Sequence, residues 1–393
     1  MVTAVQFQPR SEETWRDPFP MYRRLRDEDP VHHVTQGDYW VLSRYEDVFA
    51  AVRDPATFSS AGGLTFEHDE RAKAGLTEVA PMVFLDPPDH TAFRRLVAAG
   101  FTPRQVATIE PDVRRFVATR LDRLGDAGEG DVVAELFKPL PSFVVAHYLG
   151  VPEDDRERFD VWTEGIVAAN ALGRPLAASQ TVAELVRYFS ELIERRVSQP
   201  ADDVISDLAG AGQRAGVSAL QILGFAFTMV AGGNDTTTGL LSVALELFSA
   251  RRDQWAKLVA DRPLVPDAVE ELLRLASPVQ GLARTTTRDV EVRGTTIPAH
   301  AKVMLLYASA NRDPRQFGED AEELDVTRRP HPILTFGYGP HHCLGAAAAR
   351  LMGRVVLEEL LERFPHFTVD PARGKFAPGY FVRWYSSLPF RSE

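Results

Sequence analysis

The sequence contains one cysteine, Cys343, in the segment 336–345, which reads Phe-Gly-Tyr-Gly-Pro-His-His-Cys-Leu-Gly. An amphipathic pattern begins at Ala346, which predicts that the cysteine lies on a loop leading into a helix. The partial positive charge and the free N–H groups of a helix N-terminus stabilise a thiolate. Gly339 and Gly345 permit a tight backbone path by which these groups and a planar cofactor can approach the sulfur.

Other interpretations of this cysteine have to be weighed against that one. A lone free cysteine is often an inert, buried thiol. The run His341-His342-Cys343 also suggests zinc, but zinc requires four ligands, and no Cys-x-x-Cys motif or spaced histidine pair completes the set. The absence of a Cys-x-x-Cys-His motif excludes a c-type haem, and a single cysteine excludes an internal disulfide.

The whole segment, with the pattern F-G-x-G-x-H-x-C-L-G, resembles the cysteine loop of the cytochrome P450 family in the form common among soluble bacterial members. The resemblance implies that Cys343 binds the iron of haem b (iron protoporphyrin IX) as a thiolate. The other residues of the segment that the resemblance places at the haem are Phe336, Gly337, His341 and Gly345. Three further motifs of the family occur along nearly the whole chain in the expected order.

One of these motifs, Gly232-Gly233-Asn-Asp235-Thr236-Thr237, matches the oxygen-activation segment of the family's long central helix. Each glycine inside a helical pattern costs about 1 kcal/mol relative to alanine, which suggests a reason for both. By resemblance, Gly232 and Gly233 let haem and dioxygen approach the helix, where a local distortion can open a groove. Asp235 and Thr236 are the predicted catalytic residues, an acid and a hydroxyl for proton delivery. Helical threonines that bond back to the preceding turn are the structural alternative.

A second motif, Glu271-x-x-Arg274, places two opposite charges three residues apart, on one face of a predicted helix. Such a pair is usually solvated and contributes under about 1 kcal/mol. Here it matches the family's E-x-x-R helix, and Arg328 matches the usual third partner. The resemblance therefore implies a buried structural triad that fixes the cysteine loop, in which the loss of one member leaves an unpaired buried charge.

A third motif, His90-x-x-x-Arg94, puts two cationic side chains within reach of one anionic group. Taken alone, it is equally typical of a solvated helix face beside Arg95. It matches the haem-propionate motif of the family, and Arg284 occupies a further propionate-binding position. The resemblance therefore implies that these three residues bind the two carboxylates of the haem.

These residues have to be positioned by a mainly helical framework. Apolar residues recur at three- and four-residue spacing in eight segments, each of which predicts a helix. The predicted helices are 45–53, 90–99, 103–125, 140–149, 178–197, 218–250, 266–275 and 344–364. A hairpin is predicted within 30–44, around Gly37-Asp38, and a second β-rich patch at 288–306. The segment 210–216 lacks the glycine spacing of a dinucleotide site and is predicted to be a loop.

Composition and charge limit the class of protein. The 393 residues are 45% hydrophobic and 25% charged, without internal repeats or a Pro/Gly/Ser-rich linker, so we predict one mainly α domain with small β-sheets over residues 1–393, with the cytochrome P450 fold. The formal net charge of −11 argues against general affinity for nucleic acid or anionic lipid. The longest apolar stretch, 220–231, falls short of the roughly 20 residues that a membrane span needs. With no signal-peptide pattern at the N-terminus, we expect a cytoplasmic protein without a membrane anchor.

By resemblance, the expected activity is that of a monooxygenase, in which one atom of dioxygen enters a small, mostly apolar organic substrate by hydroxylation or oxidative dealkylation. The alternatives are a haem-thiolate peroxygenase, whose known members in this family replace the acid and threonine found here, and a non-enzymatic haem sensor. No flavin or nicotinamide domain is visible, so electrons are expected from a separate ferredoxin and ferredoxin reductase.

The substrate and the docking of the electron donor are predicted only in outline. By resemblance, the substrate pocket uses the mainly apolar segments 62–84, 165–178 and 279–283, the central helix near Gly232, and the turn 380–382, which favours a hydrophobic ligand. An acidic ferredoxin requires a local basic patch on an acidic protein. That patch is expected at Arg104, Arg114, Arg350 and Arg354.

Overall fold

The computed structural model describes residues 5–9, 12–68, 70, 80–171, 179–379 and 381–393. Helices dominate this part of the chain, which confirms the predicted mainly α fold. The α-helices, α1 to α16 in chain order, are Glu12–Arg16, Phe19–Glu28, Tyr45–Arg53, Asp89–Val97, Pro103–Ala107, Glu110–Ala127, Pro139–Tyr148, Arg156–Ala171, Ser179–Ser198, Val204–Ala215, Ala219–Ala250, Arg252–Ala260, Val265–Ala276, Tyr307–Ala310, Pro314–Phe317 and Ala346–Arg363.

Within the described ranges the strands are short and form four small sheets. In chain order, β1 to β12 are Val31–Val34, Tyr39–Leu42, Phe58–Ser59, Glu129–Asp131, Leu282–Thr286, Val290–Val292, Thr295–Ile297, Lys302–Leu305, Phe367–Val369, Lys375–Phe376, Tyr385–Ser387 and Pro389–Ser392. The largest sheet has the order β1-β2-β8-β5-β3, with β2 and β8 parallel and its other neighbours antiparallel. The others are β4-β12-β9, β6-β7 and β10-β11. The predicted hairpin is present as β1 and β2, and the predicted patch contains β6, β7 and β8.

The longest helix, α11, runs through the hydrophobic core. It begins after Ser218, whose side chain and that of Gln221 form a reciprocal capping box that satisfies two free backbone N–H groups. It contacts α7, α8, α9, α10, α13 and α16, which explains why apolar residues occur on most of its faces. This packing fixes the middle of α11, residues 232–236, relative to α13 and α16.

Some local predictions are wrong. The predicted helix 103–125 is two helices, because α5 ends at Ala107 and α6 begins at Glu110, with Pro111 in its first turn, where a missing N–H is tolerated. The segment 210–216 is the end of α10 and not a loop; only Gly216, at φ 72°, leaves the helix in the left-handed conformation that favours glycine. Helices α8 and α12 were not predicted, since charged residues interrupt the apolar pattern of both.

Candidate active site

Cys343 lies on the loop that leads into α16. Its backbone N–H donates to the carbonyl oxygen of Phe336 at 2.8 Å, which closes the loop. The backbone N–H of Gly345, directly before α16, acts to lower the pKa of the Cys343 thiol. Gly339 has φ of 69°, and a Cβ there would lie 3.0 Å from the carbonyl oxygen of Val52 on α3. The loop thus needs glycine at that close approach, and its geometry holds the thiol at a helix N-terminus.

The surroundings of the Cys343 sulfur have two opposing effects on whether the thiol ionises. Solvent reaches the Cys343 side chain, although protein atoms lie close enough for burial to raise the pKa of the thiol. The sulfur therefore borders a recess rather than the outer surface. The Gly345 N–H and the charges of Arg94 and Arg350 oppose the desolvation and favour the thiolate. A metal cation on the sulfur would complete this stabilisation, because a coordinating thiol is deprotonated outright.

His90, Arg94, Arg284 and His341 lie together on one side of this cysteine loop. The rings of His90 and His341 are 4.1 Å apart, centroid to centroid. Burial, followed by the charges of Arg284, His90 and Arg94, lowers the pKa of His341 to about 3. His341 Nε2 lies 3.2 Å from the Ser60 hydroxyl. Residues from three distant parts of the sequence thus form a cluster in which His341 is neutral at physiological pH.

This cluster has more cationic groups than the surrounding protein compensates. Among the described residues, neither Arg94 nor Arg284 has a carboxylate within ion-pair distance, and burial lowers the pKa of Arg94. His90 is 1% exposed, and its Nδ1 has no hydrogen-bond partner in the described structure. The nearby Asp86 carboxylate already accepts hydrogen bonds from the Ser59 hydroxyl and the backbone N–H of Ser60. Buried cationic groups are expensive without a counter-charge, so the cluster suits an anionic ligand.

The motif residues Glu271 and Arg274 form a buried ion pair. Both side chains are 0% exposed, and Arg274 Nε and Nη2 each lie 2.7 Å from a carboxylate oxygen of Glu271. Arg328 Nε lies 3.2 Å from the same carboxylate, and Arg328 Nη2 lies 2.8 Å from Asp320. The structure thus brings together the three residues that the sequence grouped, and the bidentate geometry is the strong form of an arginine–carboxylate contact.

Asn311, which the sequence did not single out, connects this triad to the cysteine loop. Arg274 Nη1 donates to the backbone carbonyl of Asn311 at 2.7 Å. The Asn311 side chain accepts from the N–H of Leu334 at 2.7 Å and donates to the Thr335 hydroxyl at 2.9 Å. Leu334 and Thr335 directly precede Phe336. The available signal was a polar residue at the end of the apolar run 303–310, and it was not specific.

The two glycines of α11 have different surroundings. Gly232 is exposed, and a Cβ added to it would contact no atom within 4 Å. A Cβ at Gly233 would lie 2.8 Å from Val145 Cγ2 on α7. Gly233 therefore permits close helix packing, and only Gly232 borders open space. The α-helix is continuous from Ala219 to Ala250 and does not break at the two glycines.

Asp235 and Thr236 are adjacent on α11 but differ in their environment. Asp235 is 7% exposed, its Oδ1 has no partner in the described structure, and burial raises its pKa to about 7. Thr236 is half-buried, and its hydroxyl donates to the carbonyl of Gly232 at 3.0 Å, which is the back-bonding alternative. The carboxyl group of Asp235 can therefore bind and release a proton near neutral pH.

Replacement of Asp235 by asparagine is expected to stabilise the protein at neutral and high pH. A raised pKa means that the native state binds a proton that the unfolded state has lost between about pH 4 and pH 7, so wild-type stability falls as pH rises through this window. A shift of roughly three units corresponds to about 4 kcal/mol. Urea unfolding from pH 4 to pH 8 should show the variant gaining most at pH 7 and above. A pH-independent difference would contradict the raised pKa.

Comparison with known proteins identifies the family. Residues 246–375, which include the triad and Cys343, match the family model for cytochrome P450. Over 399 aligned residues, the chain is 57% identical to cytochrome P450 130 of Mycobacterium tuberculosis, and the alignment covers 99% of this chain and 98% of that protein. The chain belongs to the cytochrome P450 family. Its predicted family membership is therefore confirmed, and the family is one of haem monooxygenases.

Solved structures of other cytochromes P450 share the whole fold. CYP109Q5 from Chondromyces apiculatus superimposes with a TM-score of 0.89 at 34% identity, covering 99% of this chain and 98% of that one. CYP109E1 from Bacillus megaterium, solved in complex with testosterone, gives 0.87 at 30% identity, covering 98% of this chain and 100% of that one. The cytochrome P450 fold over nearly the full chain is thus confirmed, and the family implies haem as the cofactor.

The donor set of this cytochrome P450 fits the groups that haem presents. A thiol at a helix N-terminus suits a soft, positively charged iron. Arg94 and Arg284, which have no carboxylate partner among the described residues, and His90, whose Nδ1 is unsatisfied there, suit two carboxylates. Within the described ranges, no group of three or more His, Cys, Asp or Glu side chains gathers in a way that could hold a metal ion. Nor does any described helix combine the length and apolarity needed to cross a bilayer.

The arginines predicted to form a basic docking patch are largely compensated by carboxylates. Arg114 pairs with Glu110, Glu358 and Glu359, while Arg354 pairs with Glu110 and Glu358. Arg350 contacts Glu270. Arg104 is exposed. The patch is therefore a mixed network and not a basic surface, because the glutamates come from α6, α13 and α16, which sequence reasoning did not place beside the arginines.

The segments predicted to form the substrate pocket are only partly described. Residues 69, 71–79, 172–178 and 380 lie outside the described residues. Among the others, Val279 and Val382 form an antiparallel bridge, and the N–H of Gln280 donates to the carbonyl of Phe381 at 2.7 Å. Val382 and Trp384 are buried, with Val279 and Phe381 packed against them. Two of the predicted pocket segments thus lie side by side and are apolar.

Proposed function

We propose that this cytochrome P450 holds haem b through the Cys343 thiolate and inserts one atom of dioxygen into a small, mostly apolar substrate. The observation that carries the proposal is the recessed Cys343 sulfur beside a cluster of cationic groups without carboxylate partners. That arrangement matches the two kinds of group by which a protein binds haem, the iron and the propionates. When bound, haem supplies dioxygen activation for the reaction RH + O2 + two electrons + two protons, which gives ROH and water.

The roles of the surrounding residues follow from their placement. Cys343 would hold the iron as a thiolate, and thiolate ligation supplies the electron density that favours O–O cleavage. His90, Arg94, Arg284 and His341 bind and orient the two carboxylates of the haem. Phe336, Gly337 and Gly345 shape the loop around the sulfur.

On α11, the open side of Gly232 leaves space for a ligand, and Asp235 and Thr236 handle protons. The half-protonated state of Asp235 near pH 7 makes it a proton donor at the pH of the cell. The peroxygenases of this family replace the acid and the threonine that are present here, and a haem sensor would give this buried acid no task. We therefore favour the monooxygenase over both alternatives.

The electron donor and substrate are proposed at the level of class. Electrons come from a ferredoxin and its reductase, which meet a mixed-charge surface rather than a basic one. The testosterone bound in CYP109E1 and the apolar pairing of Val279 with Val382 support a hydrophobic organic substrate. We propose that the reaction takes place in the cytoplasm.

A spectrum tests the ligation directly. Reduced, carbon monoxide-bound protein should show the strongly red-shifted Soret band of a thiolate-ligated haem. A band at the position typical of histidine ligation would refute the role of Cys343. A screen of hydrophobic compounds for Soret shifts in the oxidised protein would then find substrates.

Replacement of Thr236 by alanine is expected to uncouple electron consumption from product formation. A positioned proton relay contributes about 10²–10⁴ to a rate, so product per electron pair should fall on the order of tenfold while hydrogen peroxide rises. Asp235→Asn should instead slow total turnover, because the proton supply itself is impaired. The measurement is the stoichiometry of reduced cofactor, dioxygen, peroxide and product with a ligand found by the Soret screen.

Thr228→Ala is a matched control for this experiment. Its hydroxyl makes the same type of bond, to the Gly224 carbonyl at 2.7 Å, on the same helix but away from Asp235. The control should retain coupling. If Thr236→Ala behaved like Thr228→Ala, the Thr236 hydroxyl would only bond back to its own helix. The proton relay would then have to be assigned to another group.

A further inference from the structure

Arg350 occupies a position between the cysteine loop and the Glu271 helix. Its guanidinium carbon lies 4.7 Å from the centroid of the Phe336 ring, within the range of a cation–π contact. Its Nε and Nη2 both contact the carboxylate of Glu270 on α13, the latter at 2.9 Å. Phe336 is the residue whose carbonyl accepts the N–H of Cys343. The Glu270–Arg350 pair thus holds a positive charge against the residue that closes the thiolate loop.

The charge of Arg350 lies beside the cysteine loop. It stands over the ring of Phe336, the residue whose backbone carbonyl binds the N–H of Cys343. Arg94 belongs to the cluster that suits the haem carboxylates, which would neutralise it. Arg350 instead forms an ion pair with Glu270, and 38% of its side chain is exposed. The pairing of Arg350 with Glu270 therefore does not depend on the haem carboxylates, and the balance of these two charges beside the cysteine loop is the same with and without them.

We propose that Arg350, positioned by Glu270 against Phe336, sets the reduction potential of the iron that Cys343 holds. The inference rests on the proposed ligation by Cys343. One-electron reduction of the iron adds negative charge to the site, so a nearby cation favours the reduced state and a nearby carboxylate disfavours it. Arg350 is thus a positioning and tuning residue for electron uptake, in place of the docking role that its sequence position suggested.

The neighbouring arginine of α16 provides a matched control. Arg354 lies one turn further along the helix and is also paired with carboxylates, those of Glu110 and Glu358. Of these two described arginines, Arg350 stands over the Phe336 ring and Arg354 does not. If only the total charge of this surface mattered, Arg350 and Arg354 would be equivalent. The proposal requires that they differ.

The test is a spectroelectrochemical titration of the holoprotein at low ionic strength, without substrate. Arg350→Gln should lower the potential, so that the ferrous fraction at the wild-type midpoint falls several-fold, whereas Glu270→Gln should raise the potential. Arg354→Gln should leave the potential unchanged. High salt should shrink the Arg350→Gln shift, because the pair is partly exposed. An unchanged potential in Arg350→Gln, or shifts of the same sign in both members of the pair, would overturn the proposal.

Two further measurements distinguish a failure of the proposed Cys343 ligation from a failure of the proposed role of Arg350. The carbon monoxide spectrum of the wild-type protein is recorded first: without the red-shifted band, the proposed ligation fails, whereas a normal band with equal potentials overturns the tuning role alone. Arg350→Lys keeps the charge but loses the planar stacking group. It should restore most of the wild-type potential. If Arg350→Lys matched Arg350→Gln instead, the side chain would act as a steric cover of Phe336, and the electrostatic proposal would be wrong.

Discussion

Cys343→Ser is expected to abolish dioxygen activation completely while leaving a soluble, folded protein. The serine hydroxyl does not ionise at physiological pH and cannot donate electron density to iron as a thiolate does. The side chain is exposed to its recess, so the substitution opens no cavity in the core. The backbone bond to Phe336 is unaffected. Product formation should fall below detection in the reconstituted system, and the red-shifted carbon monoxide band should disappear.

Two controls make that result interpretable. Thermal unfolding of the two proteins without haem should agree within a few degrees, which would show that the loss is chemical. Haem content should be measured as well, because the cationic cluster at Arg94, Arg284 and His90 remains intact and can retain some haem. A serine variant with normal turnover would remove Cys343 from the mechanism and with it the monooxygenase proposal.

Local signals in the sequence were enough for the family and for much of the site. The motif around Cys343 spans the ten residues from Phe336 to Gly345, and Glu271 and Arg274 share one helical turn. Such spacings determine geometry as soon as the secondary structure is known. The apolar periodicity of α11 is equally local, and its predicted bounds of 218–250 nearly match Ala219–Ala250.

Features that depend on contacts between distant segments could not be predicted. Glu270 and Arg350 are 80 residues apart, and no pattern in the sequence shows that the arginine is already paired. Asn311 reaches Leu334 across 23 residues. The close approach of Gly233 to Val145 likewise depends on how α7 and α11 cross. These contacts changed the interpretation of the arginine patch and separated the roles of the two glycines.

The Glu271–Arg274 pair is expected to be essential for stability and for haem incorporation. In Glu271→Gln, Arg274 stays fully buried without a counter-charge, and Arg328 loses one of its carboxylate contacts. Breaking a buried pair in this way costs about 3–5 kcal/mol. Urea unfolding should show a loss of that size. Haem content after expression should fall sharply, because Arg274 also supports Asn311 and, through it, the residues before the cysteine loop.

Asp267→Asn on the same helix is the matched control. Asp267 pairs with Arg329, whose side chain is 81% exposed. An exposed pair contributes about 0–1 kcal/mol, so this variant should retain both stability and haem. Similar losses in Asp267→Asn and Glu271→Gln would indicate that any charge change on α13 is harmful, independently of burial.

The double variant Glu271→Leu, Arg274→Met separates charge pairing from backbone support. Replacing a buried ion pair by apolar residues is often neutral, because the desolvation penalty of both charges is removed. Here, however, Arg274 also donates to the carbonyl oxygens of Asn311 and Ala321, which the double variant leaves without these donors. A buried carbonyl that loses its partner costs about 1–3 kcal/mol. The double variant should therefore recover part of the stability lost in Glu271→Gln but not the haem content. Recovery of both would show that Glu271 and Arg274 act only as a charge pair and that the hydrogen bonds of Arg274 to the backbone are not needed.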